Sequence, residues 1–225
     1  MDLASLSKKI GLTLKDSALY EQAFTHRSYL NEHPAVTHHN ERLEFLGDAV
    51  VELLVTQFLY DKFPDKPEGE LTSLRAALVK RGTLSEIGQE LNFDQYLRLS
   101  KGEAHNTGKA KAMIISNTVE SFIGALFLEQ GLPKVRKFLD KTLLPKLEAI
   151  VDEALHVDAK SHFQEVVQEK DGITPHYEIE SMSGPDHDRT FIVGVYVGDK
   201  LVSKGEGKSK REAETAAAAI ALKKI

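Results

Sequence analysis

Cysteine is absent from the 225 residues. That excludes a disulfide framework, a thiolate zinc site and a catalytic cysteine, and it fits a reducing compartment, so a cytoplasmic location is expected. Uninterrupted apolar runs are scarce as well. The first residues, MDLASLSKKIGLTLKD, lack the apolar segment of a signal peptide, and the apolar stretch from Val50 to Tyr60 is broken by Glu52 and Gln57, so no membrane is expected as a partner. Positive charge is not in excess either: 29 Lys and Arg stand against 34 Asp and Glu, a formal net charge of -5. This balance argues mildly against a nucleic-acid partner, although it leaves a local basic patch open. The length allows one large or two modest domains, since domains commonly run about 100–150 residues.

From Leu3 to about Val151 the apolar residues recur at helical spacing. Pro34, the Pro64 to Gly69 segment, Gly102 to Gly108 and Gly131-Leu132-Pro133 punctuate them. The pattern predicts an all-α domain over 1–152, with one long helix from about Asn40 to Phe63, stopped by Pro64, and another from about Ile114 to Gln130, capped by Gly131. Residues 153–158 are polar without periodicity and read as a linker. Over 159–225 a short helix, Ser161 to Glu169, precedes alternating segments at His176 to Met182, Thr190 to Val197 and Leu201 to Lys204. Gly198-Asp199 has the form of a two-residue hairpin turn. An alanine-rich helix, introduced by a Ser209-x-x-Glu212 capping box, closes the chain. The second domain is therefore expected to be a small α+β unit ordered helix, three strands, helix.

In Asn40-Glu41-Arg42-Leu43-Glu44-Phe45-Leu46-Gly47-Asp48 the acids fall at i, i+3 and i+7, within about 60° of one another at ~100° per residue. Leu43, Leu46, Ala49, Val50, Leu53 and Leu54 occupy the neighbouring arc, which puts the acidic stripe at the edge of an apolar face. Asn117 and Glu120, at i and i+3 on the apolar helix with Val119, Phe122, Ile123, Ala125 and Leu126, form a second pair able to face the first. Clustered carboxylates beside a core repel and lose hydration unless a cation joins them, and oxygen-only donors suit Mg²⁺ or Mn²⁺. Spacing alone favours the other reading, a solvated acidic face, since acidic stripes on surface helices are common.

These residues sit among further motifs. Asn40 to Asp48 follows Phe24-Thr25-His26-Arg27-Ser28-Tyr29 and precedes Pro67-Glu68-Gly69-Glu70-Leu71, and Asn117-Thr118-Val119-Glu120-Ser121-Phe122-Ile123-Gly124-Ala125 comes later. The set resembles the ribonuclease III family, in order and over essentially the whole chain. The resemblance implies an all-α endonuclease domain in which Glu44, Asp48, Asn117 and Glu120 hold Mg²⁺, with Mn²⁺ a possible substitute. Asp48 and Glu120 would be the catalytic pair, and Glu41 and Glu68 accessory acids around the cleft. It implies hydrolysis of double-stranded RNA to 5′-phosphate and 3′-hydroxyl ends, in the processing of structured precursors such as ribosomal RNA. It also implies a homodimer into which Phe45 packs. Asn117 departs from the family's Asp, keeping the shape and one carbonyl oxygen but removing a negative charge. His33, His38 and His39 lack the spaced partners of a metal cluster and read as loop residues.

Residues from about Val157 onward resemble a double-stranded RNA-binding domain. The resemblance rests on the helix, three strands, helix order, on Gly184-Pro185-Asp186-His187, and on Gly205-Glu206-Gly207-Lys208-Ser209-Lys210-Arg211-Glu212-Ala213. Lys208, Lys210 and Arg211 gather at a helix start, where the helix dipole disfavours cations but welcomes a phosphate. The resemblance adds Gln164, Glu165, His187 and Ser209 to the RNA-contacting set. Glu214 stands where many such modules carry another basic residue. Two functions compete: a duplex-RNA endonuclease, or a duplex-RNA-binding protein whose cleavage Asn117 impairs or abolishes.

Overall fold

The computed structural model of the protein describes residues 2–152, 159–185 and 189–224. The expected linker, 153–158, and His187 lie outside the described residues. The chain divides into two compact units, 1–156 and 157–225.

The first unit is helical: α1 (Leu3–Ile10), α2 (Ser17–Ala23), α3 (Glu41–Lys62), α4 (Glu68–Val79), α5 (Arg81–Glu90), α6 (Lys101–Ala104), α7 (Gly108–Gln130), α8 (Leu132–Thr142) and α9 (Lys146–Asp152). Helix α3 buries Leu43, Val50, Val51, Leu54, Val55 and Leu59 along one stripe and ends just before Pro64, whose ring excludes a further helical turn. Helix α7 begins well before Ile114. Gly108, at φ +57, turns the chain into it, and Lys109-Ala110-Lys111-Ala112-Met113 are strong helix formers that carry no apolar periodicity to reveal them. Although α7 is long and apolar enough to cross a membrane by composition, its run from Ile114 to Leu126 is largely buried in the middle of the unit. Around it Tyr20, Phe24, Phe93 and Phe138 surround Phe122, with ring centroids 5.2–6.2 Å from that of Phe122. Emptying the fully buried Phe122 position would cost about 3–5 kcal/mol.

Two expected positions of the apolar arc fail, Ala49 and Leu53, both exposed. Leu53 at 55% joins Phe45 at 80% and Tyr60 at 71%. The three fall within about 80° of one another at ~100° per residue, so they form a single outward apolar stripe on α3, and the apolar arc facing α7 is narrower than the residue pattern implied.

The second unit comprises α10 (Ala159–Asp171), β1 (His176–Ser183), β2 (Thr190–Val197), β3 (Lys200–Gly207) and α11 (Lys210–Leu222). The strands form one antiparallel sheet ordered β1-β2-β3, joined at β2-β3 by Gly198-Asp199 with Gly198 at φ +56. Strand β3 runs past Lys204 to Gly207. Glycine ordinarily weakens a strand, but here it permits close approach: a β-carbon on Gly205 would overlap backbone atoms of Ala213 and Ala217, and one on Gly207 would crowd Ala213. The alanine-rich face of α11 therefore lies directly on β3, and Phe163 and Val167 of α10 complete the small core with Val195, Ala217, Ala218 and Ala221.

Candidate functional site

Helices α3 and α7 touch backbone to backbone. A β-carbon on Gly47 would collide with the carbonyl of Glu120, and one on Gly124 with the carbonyl of Leu43. This crossing places Glu44 and Asp48, flanking Gly47 on α3, beside Asn117 and Glu120 on α7. Two glycines inside apolar helices, each costing about 1 kcal/mol against alanine, are the sequence signal for so close a contact.

The electrostatics show which side chains meet there. Burial raises the Glu120 carboxyl to about 7, and the charges of Asp48 and then Glu44 push in the same direction, while Arg81 at the start of α5 opposes them. Burial likewise raises Glu44, and Glu41 and Asp48 add repulsion, but the Asn117 side chain hydrogen-bonds to Glu44 and holds it down. To stabilise the charged carboxylate that bond must run from the Asn117 amide N–H. The Asn117 carbonyl oxygen accepts from Ser116 Oγ at 3.3 Å. Asn117 is thus a donor to its neighbour, a role that an aspartate in the same place cannot fill. Arg81 was not foreseen; a cation next to a helix cap carries no motif of its own.

Of the accessory acids, Glu41 belongs to the cluster, adding to the repulsion on Glu44 while its own carboxylate lies 3.8 Å from Arg27. Glu68 is exposed on the first turn of α4 and accepts from Thr72 of its own helix at 3.0 Å. It is not among the charges that act on Glu44 or Glu120. His33 stacks on Tyr29 at 3.8 Å between ring centroids. Among the described residues no three His, Asp or Glu side chains are already set as a metal cage. The donors nevertheless fit Mg²⁺. They are oxygen-only, and Glu44 and Glu120 are half-buried, with their carboxyl pKa values held above the ordinary carboxylate range. Neither Asp48 nor Glu120 has a hydrogen bond or ion pair to its carboxylate among the described residues. The carboxylates of Glu44, Asp48 and Glu120 repel one another.

In the second unit Lys208, Lys210 and Arg211 are exposed around the start of α11. Ser209 Oγ caps the helix by accepting from the Glu212 N–H at 3.2 Å. The return bond is displaced by one residue from the expected box: the Glu212 carboxylate accepts from the Lys208 N–H at 2.8 Å rather than from Ser209. Gln164 and Glu165 are exposed on α10. Glu214 is buried and accepts from Lys160 Nζ at 2.7 Å.

Comparison with known proteins agrees with both halves of this description. The pattern of the family described as ribonuclease-III-like spans residues 16–147, more than half of the chain. The chain belongs to the ribonuclease III family. The double-stranded RNA binding motif spans 159–225, so a helical nuclease domain is followed by a module for duplex RNA. Over its whole length the chain is similar to ribonuclease 3 of Enterococcus faecalis, at 44% identity over 98% of this chain and 96% of that protein. It is equally similar to that of Latilactobacillus sakei, at 44% identity over 100% of this chain and 99% of that protein. Among solved structures, the nuclease domain of ribonuclease III from Campylobacter jejuni matches with a TM-score of 0.59 at 35% identity, covering 64% of this chain and 99% of that one.

Proposed function

We propose that this ribonuclease III family member is a Mg²⁺-dependent endonuclease that hydrolyses the phosphodiester bonds of double-stranded RNA, leaving 5′-phosphate and 3′-hydroxyl ends. The observation that carries the reading is the convergence of Glu44, Asp48 and Glu120 at the α3–α7 crossing, three carboxylates with little to neutralise them. Glu44, Asp48 and Glu120 would hold Mg²⁺, or Mn²⁺ in its place, with the Asn117 carbonyl oxygen as a neutral fourth donor once its amide turns away from Glu44. Bound there, the ion would supply Lewis-acid stabilisation of the phosphoryl oxygens and make water a competent nucleophile. The chain's own part is to keep Glu44 and Glu120 half-buried, where charge interactions are strong, and to set the acids rigidly through the glycine crossing. Lys208, Ser209, Lys210 and Arg211, with Gln164, Glu165 and His187, would present the duplex by its phosphates and minor groove.

The exposed stripe of Phe45, Leu53 and Tyr60 supports a homodimer, since side chains of this size seldom stand unpartnered together. The Campylobacter jejuni nuclease domain has been described as having a region involved in dimer formation. Structured precursors such as ribosomal RNA, met in the cytoplasm, are the substrates we propose.

One observation favours a second reading. Because Asn117 donates to Glu44 and brings no charge, the protein also reads as a binder of duplex RNA with cleavage impaired. Labelled duplex RNA incubated with Mg²⁺, and separately with Mn²⁺, decides. Cleavage to 5′-phosphate ends supports the enzyme, whereas tight binding with intact RNA under both metals supports the binder.

A further inference from the structure

Glu214 is 9% exposed, an unusual position for a carboxylate, and its two oxygens face different helices. Lys160, on the first turn of α10, donates to Oε2 at 2.7 Å, and Lys210, on the first turn of α11, lies 3.9 Å from Oε1. The Lys160 ammonium also lies 4.8 Å from the centre of the Tyr177 ring. Both lysines keep an outward side, at 40% and 58% exposure. Lys160 is one helical turn from Gln164, and Lys210 adjoins Arg211. Two ammonium groups from separate helices repel, and a buried carboxylate is costly unless paired. Placed between them, the carboxylate removes both penalties and leaves the trio with a net charge of +1.

We propose that Glu214 is a positioning residue for duplex RNA, holding Lys160 and Lys210 together across the α10–α11 seam so that both ammonium groups address the same stretch of phosphate backbone. Lys160 is then part of the RNA-contacting surface, although it lies outside the basic motif of α11. The inference rests on the reading that the start of α11 binds duplex RNA.

The sign of one substitution tests it. If Glu214 were only a negative charge near RNA, Glu214→Gln would tighten binding; if it holds the two cations together, Glu214→Gln weakens binding although it makes the protein more basic. Duplex affinity is measured on the full chain without divalent cations, across a salt series. Glu214→Gln should weaken binding roughly fivefold near physiological salt. Lys160→Met should do the same and lower the slope of log affinity against log salt by about 0.9, one phosphate contact, while Lys160→Arg keeps both. A bridge that merely stabilises the module would lower the melting temperature and leave the affinity of the folded protein unchanged. Equal or tighter binding by Glu214→Gln overturns the proposal. If that variant melts below the assay temperature, Lys160→Met decides, and unchanged affinity and slope there overturn it. Lys210→Ala with Arg211→Ala separates the two levels. No loss in that double variant removes the α11 reading itself, whereas a loss there without one in Glu214→Gln and Lys160→Met removes only the proposal.

Discussion

The acid cluster of the first unit and the basic helix start of the second both suit a polyanion, and they reach it from opposite directions. At the α3–α7 crossing the groups are negative and mutually repelling, with Glu44 and Glu120 partly buried, so on the proposed function they would meet phosphate through a cation. At the start of α11 the groups are positive and exposed, and on the same proposal they would meet phosphate directly. The construction beneath them is nevertheless the same. Gly47 and Gly124 let α3 lie on α7, and Gly205 and Gly207 let α11 lie on β3. In each case charged side chains borrow their precision from a backbone contact that only glycine permits.

That parallel is broken or sharpened most strongly at the glycines. Gly47→Ala must drive a β-carbon into the Glu120 carbonyl, an overpacking of at least about 1–3 kcal/mol. Cleavage should fall to background while duplex binding, measured by gel shift, persists. Gly205→Ala should do the reverse, weakening duplex binding while the helical unit keeps its far-ultraviolet signal and its melting transition. Loss of both properties in both variants would show that the two units do not act separately.

A smaller effect is expected at Asn117. Asn117→Asp replaces a donor to Glu44 with a further carboxylate, so the metal-free protein should become less stable while affinity for Mg²⁺ rises. Single-turnover cleavage should be faster by about tenfold at limiting Mg²⁺, with the gap narrowing at saturation. Glu120→Gln in that background should then remove about 10²–10³ of the rate, as loss of an electrostatic group at the chemistry does. Equal rates for the three proteins at every Mg²⁺ concentration would mean that the cluster is not the catalytic site.

Assembly comes next. Phe45→Glu puts a charge into the exposed stripe with Leu53 and Tyr60, so sedimentation at micromolar concentration should shift from dimer toward monomer, while duplex binding by the second unit weakens only through lost bivalency. A wild-type monomer at that concentration would contradict the proposed homodimer.

The mildest test is pH. The fold raises Glu120 from its ordinary 4.5 to about 7, so the native state holds that proton more tightly than the unfolded chain does. The stability this contributes is complete below about 4.5 and is lost as pH rises through about 7. Without divalent cations the denaturation midpoint should therefore decline across that window, and Glu120→Gln should flatten the decline. Mg²⁺ affinity should rise over the same range, because protons and the ion compete for one carboxylate. No comparable change is expected in duplex binding by the second unit. Identical pH profiles for wild type and Glu120→Gln would place Glu120 outside the cluster.

By itself the sequence determined the element types, because periodicity and punctuation are local. Helix α3 stops before Pro64, the hairpin turns at Gly198, and Ser209 caps α11. It also pointed to the acids of the first site and the basic residues at the start of α11, through motifs whose spacing survives in one dimension, but not to Arg81 or Lys160. Tertiary structure decided what depends on neighbours distant in the chain. Leu53 fits the apolar arc by spacing yet lies outside the packed face, and Glu68 matches a family acid yet is bonded within its own helix. Asn117 turns from a weakened ligand into a donor only because the glycine crossing brings Glu44 to it. Glu214, which reads in the sequence as a missing cation, is buried between Lys160 and Lys210. Periodicity reports which face a residue occupies, but burial, acidity and pairing are set by what packs against that face.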